Sequence, residues 1–191
     1  MTISVHQPDD HTALTYELKK ITVNGENQSW FSHEKADVAI IPIKINKKLG
    51  GIIRVLDLNL LLSDENSFDK FKDREATVVG FPLKIGTIGK FYPSKRNSNT
   101  SSNLFTYKRA DKAIETTFFV LEDPSVQGYS GAPVYTLTQK DLGGGITIQG
   151  GLFSCIGLVH GTIRDDTGGK LALIVPSYFI VETINIFENK N

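Results

Sequence analysis

Apolar and polar positions alternate with a short period along most of the chain, and helical spacing is clearest at its end. Residues 2–7, Thr-Ile-Ser-Val-His-Gln, alternate. Pro8-Asp9-Asp10 reads as a turn, and residues 13–23 resume with Leu14, Tyr16, Leu18 and Ile21, which predicts a hairpin. Asn24 to Lys35 is polar, with Trp30 and Phe31 as expected packing anchors. Ala36 to Ile45 is the most apolar run of the first half, and a continuous apolar run between polar loops predicts a strand buried on both faces. Lys47 to Gly51 predicts a turn, and residues 52–62 are apolar again. Ser63 to Arg74 is charged, with Phe68 and Phe71 spaced for one short helical turn, and Ala76 to Gly80 reads as a strand closed by Phe81-Pro82.

After Pro82, Pro93 to Asn103 is the most loop-like stretch, rich in Ser and Asn. Thr116 to Leu121 predicts a strand, and Glu122 to Gln127 leads from it into Gly128-Tyr129-Ser130-Gly131. Gly131 to Leu137 leaves that turn as a strand. Gly143 to Gly145 and Gly150-Gly151 punctuate two more, the second running from Leu152 to Ile163. Arg164 to Gly169 is a turn and Leu171 to Val175 a strand. Phe179, Ile180, Ile184 and Phe187 then stand at helical spacing within Pro176 to Glu188, as in a terminal helix packed on a sheet. The expectation is an all-β chain with a C-terminal helix, divided at Phe81-Pro82 into halves 1–82 and 83–191.

Composition narrows the function classes. With 191 residues and 40% hydrophobic content, the chain can build one domain or two small halves with a packed core. Its formal net charge of zero gives no global reason to expect nucleic acid or an anionic membrane as partner. No apolar run approaches a membrane span. One cysteine, Cys155, excludes an internal disulfide and favours a reducing compartment. The start, MTISVHQPDD, has no signal-peptide character, so the expected location is cytoplasmic, with secretion left open if the N-terminus is truncated. The four histidines and the cysteine have no zinc-type spacing, and no cofactor is expected.

Two places carry candidate chemistry. Gly128 to Val134 reads G-x-S-G-x-P-V. Such a turn can expose the oxygen of Ser130 while aiming the N–H groups of Gly128 and Ser130 at one point, as a nucleophile with an oxyanion hole requires. A bland hairpin turn explains the same residues. Asp37 opens an apolar run, where a carboxylate needs partners. It is either a solvated strand end or loop cap, or the carboxylate that orients a catalytic histidine.

Four stretches, in order, resemble the trypsin-like (chymotrypsin-fold) serine peptidases, especially the compact bacterial kind without disulfides. Ala36 to Ile43 resembles the strand presenting the triad aspartate. Val79 to Pro82 resembles the link between barrels, Gly128 to Val134 the nucleophile loop, and Gly157-Leu158-Val159-His160-Gly161 the strand lining the substrate cleft. The resemblance implies two antiparallel β-barrels, the first incomplete here, and cleavage of a peptide or protein substrate. It makes Ser130 the nucleophile, Asp37 the orienting acid and Gly128 an oxyanion donor, with His160 and Gly161 in the cleft. Tyr129 stands where zymogen-activated relatives place an aspartate, so activation by a newly cut N-terminus is not expected.

The base is the difficulty. Removing the histidine from such a triad costs on the order of 10⁶ in turnover. His6 and His11 precede Asp37 but lack the family's context, His33 is expected to be solvated, and His160 is expected to line the cleft or contact Asp37. The expectation is that the catalytic histidine lies outside this sequence. The alternatives are a non-catalytic peptide-binding member of the fold and a plain β-sandwich or lectin-like module. Glu122 and Asp123 keep open a preference for basic side chains. Oligomeric state is not legible.

Overall fold

The computed structural model describes residues 2–6, 13–17, 22–23, 26–27, 30–43, 55–84, 92–109, 114–141 and 147–190. The described chain is mostly β, with one helix at its end. β1 (Thr2–His6) pairs antiparallel with β2 (Ala13–Glu17), as the alternation predicted. β3 (Thr22–Val23) pairs with β4 (Glu26–Asn27), and β5 (Phe31–Ser32) with β6 (Ala39–Ile40). The remaining strands are β7 (Glu75–Gly80), β8 (Ser94–Asn99), β9 (Phe105–Lys108), β10 (Glu115–Leu121), β11 (Pro133–Asp141), β12 (Thr147–Arg164) and β13 (Lys170–Pro176). They form one antiparallel sheet in the order β8-β7-β11-β12-β13-β10-β9. The strand before Pro82 thus shares a sheet with strands that follow it.

The sheet curls. Thr100, just past β8, bridges Leu121 at the end of β10, and Glu122 N–H donates to Asn99 O at 3.0 Å. One bridge is not a ladder, and no closed barrel forms among the described residues.

Curling gives the middle strands two buried faces. Along β10, Phe119 and Leu121 join Val78, Val134, Ile156, Val159 and Ile174 in one core. Phe118 and Val120 point the other way, joining Ala36, Val38, Leu173, Val175 and Phe179 in a second. The alternation is the period-2 consequence of a strand covered on both sides. The second face is closed by α1 (Tyr178–Lys190), which buries Phe179 and Thr183, and by the segment around Ala36 and Val38.

Several expectations need correction. Ala36 to Ile45 is not a strand buried on both faces. Only Ala39–Ile40 is strand, and burial alternates from buried Ala36 through exposed Asp37 to buried Val38; residues 44 and 45 lie outside the described residues. The run lies on one apolar surface instead of between two. Pro93 to Asn103 is not loop-like: Ser94–Asn99 pairs along the whole of β7. Its polar side chains either face solvent or make bonds within the fold, Ser98 Oγ accepting from Asp123 N–H at 3.1 Å and Ser102 Oγ from Val120 N–H at 3.1 Å. Gly150-Gly151 does not separate two strands, since β12 runs through both. Trp30 is 57% exposed, whereas Phe31 packs edge-on against Phe187 at 5.6 Å. The expected helical turn is a 3-10 segment, Glu65–Phe71, with Phe68 in the core. The turn expected over residues 47–51 lies outside the described residues.

Candidate active site

The serine turn is built from backbone. Gly128 has φ +98°, a conformation L side chains rarely adopt, and a Cβ there would lie 2.4 Å from Phe81 O and 2.9 Å from Leu83 N. The preceding residue is fixed on the same side, Gln127 O accepting from Leu83 N–H at 2.7 Å. Tyr129 N–H donates to Val126 O at 3.1 Å, and Ala132 N–H to Tyr129 O at 2.8 Å. The turn is then sewn to β12: Gly131 N–H donates to Val159 O at 2.7 Å, and Val159 N–H to Ala132 O at 2.9 Å. Tyr129 is buried, its ring against Gly80. Ser130 is exposed. Among the described residues the N–H groups of Gly128 and Ser130 make no backbone hydrogen bond, while those of Tyr129 and Gly131 do.

Asp37 lies on a bend between two buried neighbours, so its side chain points away from the core they enter. Its two oxygens have separate partners. Oδ2 is 2.8 Å from His160 Nδ1, and Oδ1 accepts from Arg109 Nη2 at 3.1 Å. The Asp37 side chain is half exposed, that of His160 19% and that of Arg109 1%. An ionised carboxylate only accepts, so Nδ1 of His160 carries the proton and the basic lone pair of the neutral ring is on Nε2.

His160 is placed by an irregularity in the ladder. Val159 pairs with Ile174 and Gly161 with Leu173, so His160 is the extra residue of a β-bulge between β12 and β13. A bulge re-aims the side chain it carries. Here the ring tilts over Phe118 at 5.3 Å and reaches Asp37. The structure therefore joins Asp37 to His160, and it holds the serine turn on Val159, the residue before His160. It does not join Ser130 to His160: among the described residues Ser130 Oγ makes no hydrogen bond. A Cβ on Gly161 would meet nothing within 4 Å, so the strand is open there.

The other histidines stand apart. His33 is 6% exposed, not solvated. Its Nδ1 accepts from Lys35 N–H at 3.1 Å and Ala36 N–H at 2.9 Å, and its Nε2 is 3.5 Å from Glu182 of α1. It is a structural clamp for the bend that carries Asp37. The side chain of His6 and the whole of His11 lie outside the described residues. Arg109 was missed in the sequence, where it is one basic residue after a strand and nothing signals its burial.

No protein-family model, curated protein or solved structure matches the chain.

Cys155 is buried, and burial pushes its thiol up to about 11, far from the thiolate that reacts. Glu122 and Asp123 both have internal partners: Glu122 Oε2 accepts from Asn99 Nδ2 at 3.0 Å, and Asp123 is 3.6 Å from Arg96. Among the described residues no group of His, Cys, Asp and Glu is placed to hold a metal, and no helix is long and apolar enough to cross a membrane.

Proposed function

We propose that this chain is a serine hydrolase of the trypsin-like peptidase kind, cleaving peptide bonds by acyl transfer to Ser130. In this reading the two barrels of that fold do not divide at Pro82, since β7 lies between β8 and β11 in the seven-stranded sheet. The observation that carries the proposal is the 2.8 Å contact between Asp37 Oδ2 and His160 Nδ1, made one residue from the point where the serine turn is bonded to β12. His160 Nε2 takes the proton of Ser130 Oγ as the oxygen attacks the scissile carbonyl, and Asp37 stabilises the imidazolium that forms. The N–H groups of Gly128 and Ser130 hold the oxyanion. His160 then returns the proton to the leaving amine, and water hydrolyses the acyl-enzyme by the same route. Such contacts commonly tighten only when substrate binds, which accommodates the unpartnered Ser130 Oγ.

A fluorophosphonate probe tests this reading. The wild type labels and Ser130→Ala does not, and His160→Gln labels at least about 10³-fold more slowly. Undiminished labelling of His160→Gln would remove His160 as the base and direct attention to His6 and His11. A folded wild type that never labels favours the second reading, a non-catalytic peptide-binding module. The unpartnered Ser130 Oγ supports that reading, and it predicts saturable binding of peptides without turnover.

A further inference from the structure

Asp37 is a half-exposed carboxylate on a bend, outside any strand, yet it must present one chosen oxygen to one ring nitrogen. Its own backbone does not impose that. We propose that Arg109 is the positioning residue of this site, a buried guanidinium that fixes the place and rotation of the Asp37 carboxylate and thereby the tautomer of His160. The proposal rests on the reading of Ser130, His160 and Asp37 as one acyl-transfer site and adds a fourth member.

Arg109 grips the bend at two points. Nη2 donates to Asp37 Oδ1 at 3.1 Å, and Nη1 lies within 3.4 Å of Lys35 O, two residues earlier on the same bend. A planar fork that spans a carboxylate and a main-chain carbonyl fixes direction as well as distance, which the point charge of a lysine does not. With Oδ1 occupied, Oδ2 is the oxygen left for His160 Nδ1. Arg109 is itself held: its N–H donates to Ile114 O at 2.8 Å just after β9, and its side chain is 1% exposed. A guanidinium removed from water needs a carboxylate beside it, so the pair locks both partners. Three separate parts of the fold thus meet at one carboxylate: the bend after β5, the bulge of β12 and the residue after β9.

The test uses the full chain with Arg109→Lys, checked for folding by near-ultraviolet circular dichroism. Two quantities are read: the ¹⁵N shifts of the His160 ring, assigned by loss in His160→Gln, and the rate of fluorophosphonate labelling. In the wild type His160 is expected as the Nδ1–H tautomer. In Arg109→Lys the Nε2–H tautomer should appear and labelling should slow by about 10²-fold, the cost of a misplaced catalytic group. A variant that has merely lost stability would retain the wild-type tautomer in its folded fraction. If the folded variant keeps both the tautomer and the rate, the proposal is overturned. Should Arg109→Lys not fold, the wild type decides: separate, slowly exchanging Nη proton signals for Arg109 support the grip, and a freely rotating, averaged guanidinium overturns it. A tautomer change without any Ser130 labelling in the wild type would retain the positioning role and defeat the peptidase reading instead.

Discussion

On one side of the site the turn carrying Ser130 is fixed by its own main chain, through positive-φ glycines and short backbone bonds to residues 83, 126 and 159. On the other side Asp37 is fixed by side chains arriving from far along the sequence, Arg109 and His160, with His33 clamping the bend. The first arrangement is local and rigid because few backbone conformations satisfy it. The second is long-range and depends on charge and hydrogen bonding in a partly dry environment. The two sides therefore use different physics, and in the proposed reading they suit different roles: a nucleophile needs an exposed oxygen on a fixed backbone, and an orienting acid needs partners that hold its charge.

The largest expected effect breaks the main-chain side. Gly128→Ala places a Cβ 2.4 Å from Phe81 O in a left-handed conformation, and strain plus overlap should cost about 3–5 kcal/mol in denaturant unfolding. Asp37→Ala breaks the other side by removing the carboxylate that accepts from Arg109 Nη2 and meets His160 Nδ1. The cost should be about 2–3 kcal/mol, below that of a fully buried pair because Asp37 is half exposed. If Asp37→Ala were as stable as wild type, the ion pair would not be what holds the bend.

A pH experiment addresses the sheet under the turn alone. Burial raises the Cys155 thiol to about 11 in the folded chain, so the unfolded chain loses that proton first as pH rises. The stabilisation is fully present below about pH 9 and disappears by about pH 11, a loss on the order of 2 kcal/mol. It appears as a steeper alkaline decline of unfolding free energy in the wild type than in Cys155→Ala. The smallest effect sharpens the comparison between two glycines of one turn. Gly131 also has positive φ, +80°, but a Cβ there meets nothing within 4 Å, so Gly131→Ala should cost only the backbone term, about 1 kcal/mol. Equal losses at Gly128 and Gly131 would mean that conformation, not the approach of Phe81, makes Gly128 necessary.

Much of the fold was legible where the pattern is local. Strands β7, β10, β11 and β13, the hairpin of β1 with β2 and the terminal helix follow from alternation or helical spacing. Polarity along this chain does not mean exposure. β8 is all polar yet pairs along its whole length: Ser98 Oγ accepts from Asp123 N–H and Arg96 Nη1 donates to Pro124 O on one side of the strand, while Lys95, Asn97 and Asn99 are exposed on the other. His33 was expected in solvent, but two backbone amides and an aromatic neighbour, Phe179 at 5.1 Å, enclose it. The glycine-bounded turn of Ser130 and the carboxylate of Asp37 at the edge of an apolar run are legible from their immediate neighbours, and a contact between His160 and Asp37 is one of the expectations for His160. The bulge that aims His160 depends on register between β12 and β13, and one strand's residues do not record its partner's register.

By itself the sequence determined a β-rich chain, a glycine-bounded serine turn and a carboxylate at the edge of an apolar run, because these depend on residues within a few positions of one another. Only the tertiary structure decided that Asp37 divides its oxygens between Arg109 and His160, that Cys155 is an inert buried thiol and that His33 is a clamp. Those facts depend on which distant segments meet and how much water they exclude, and the energy of a charge or a proton is set by that enclosure and not by its neighbours in sequence.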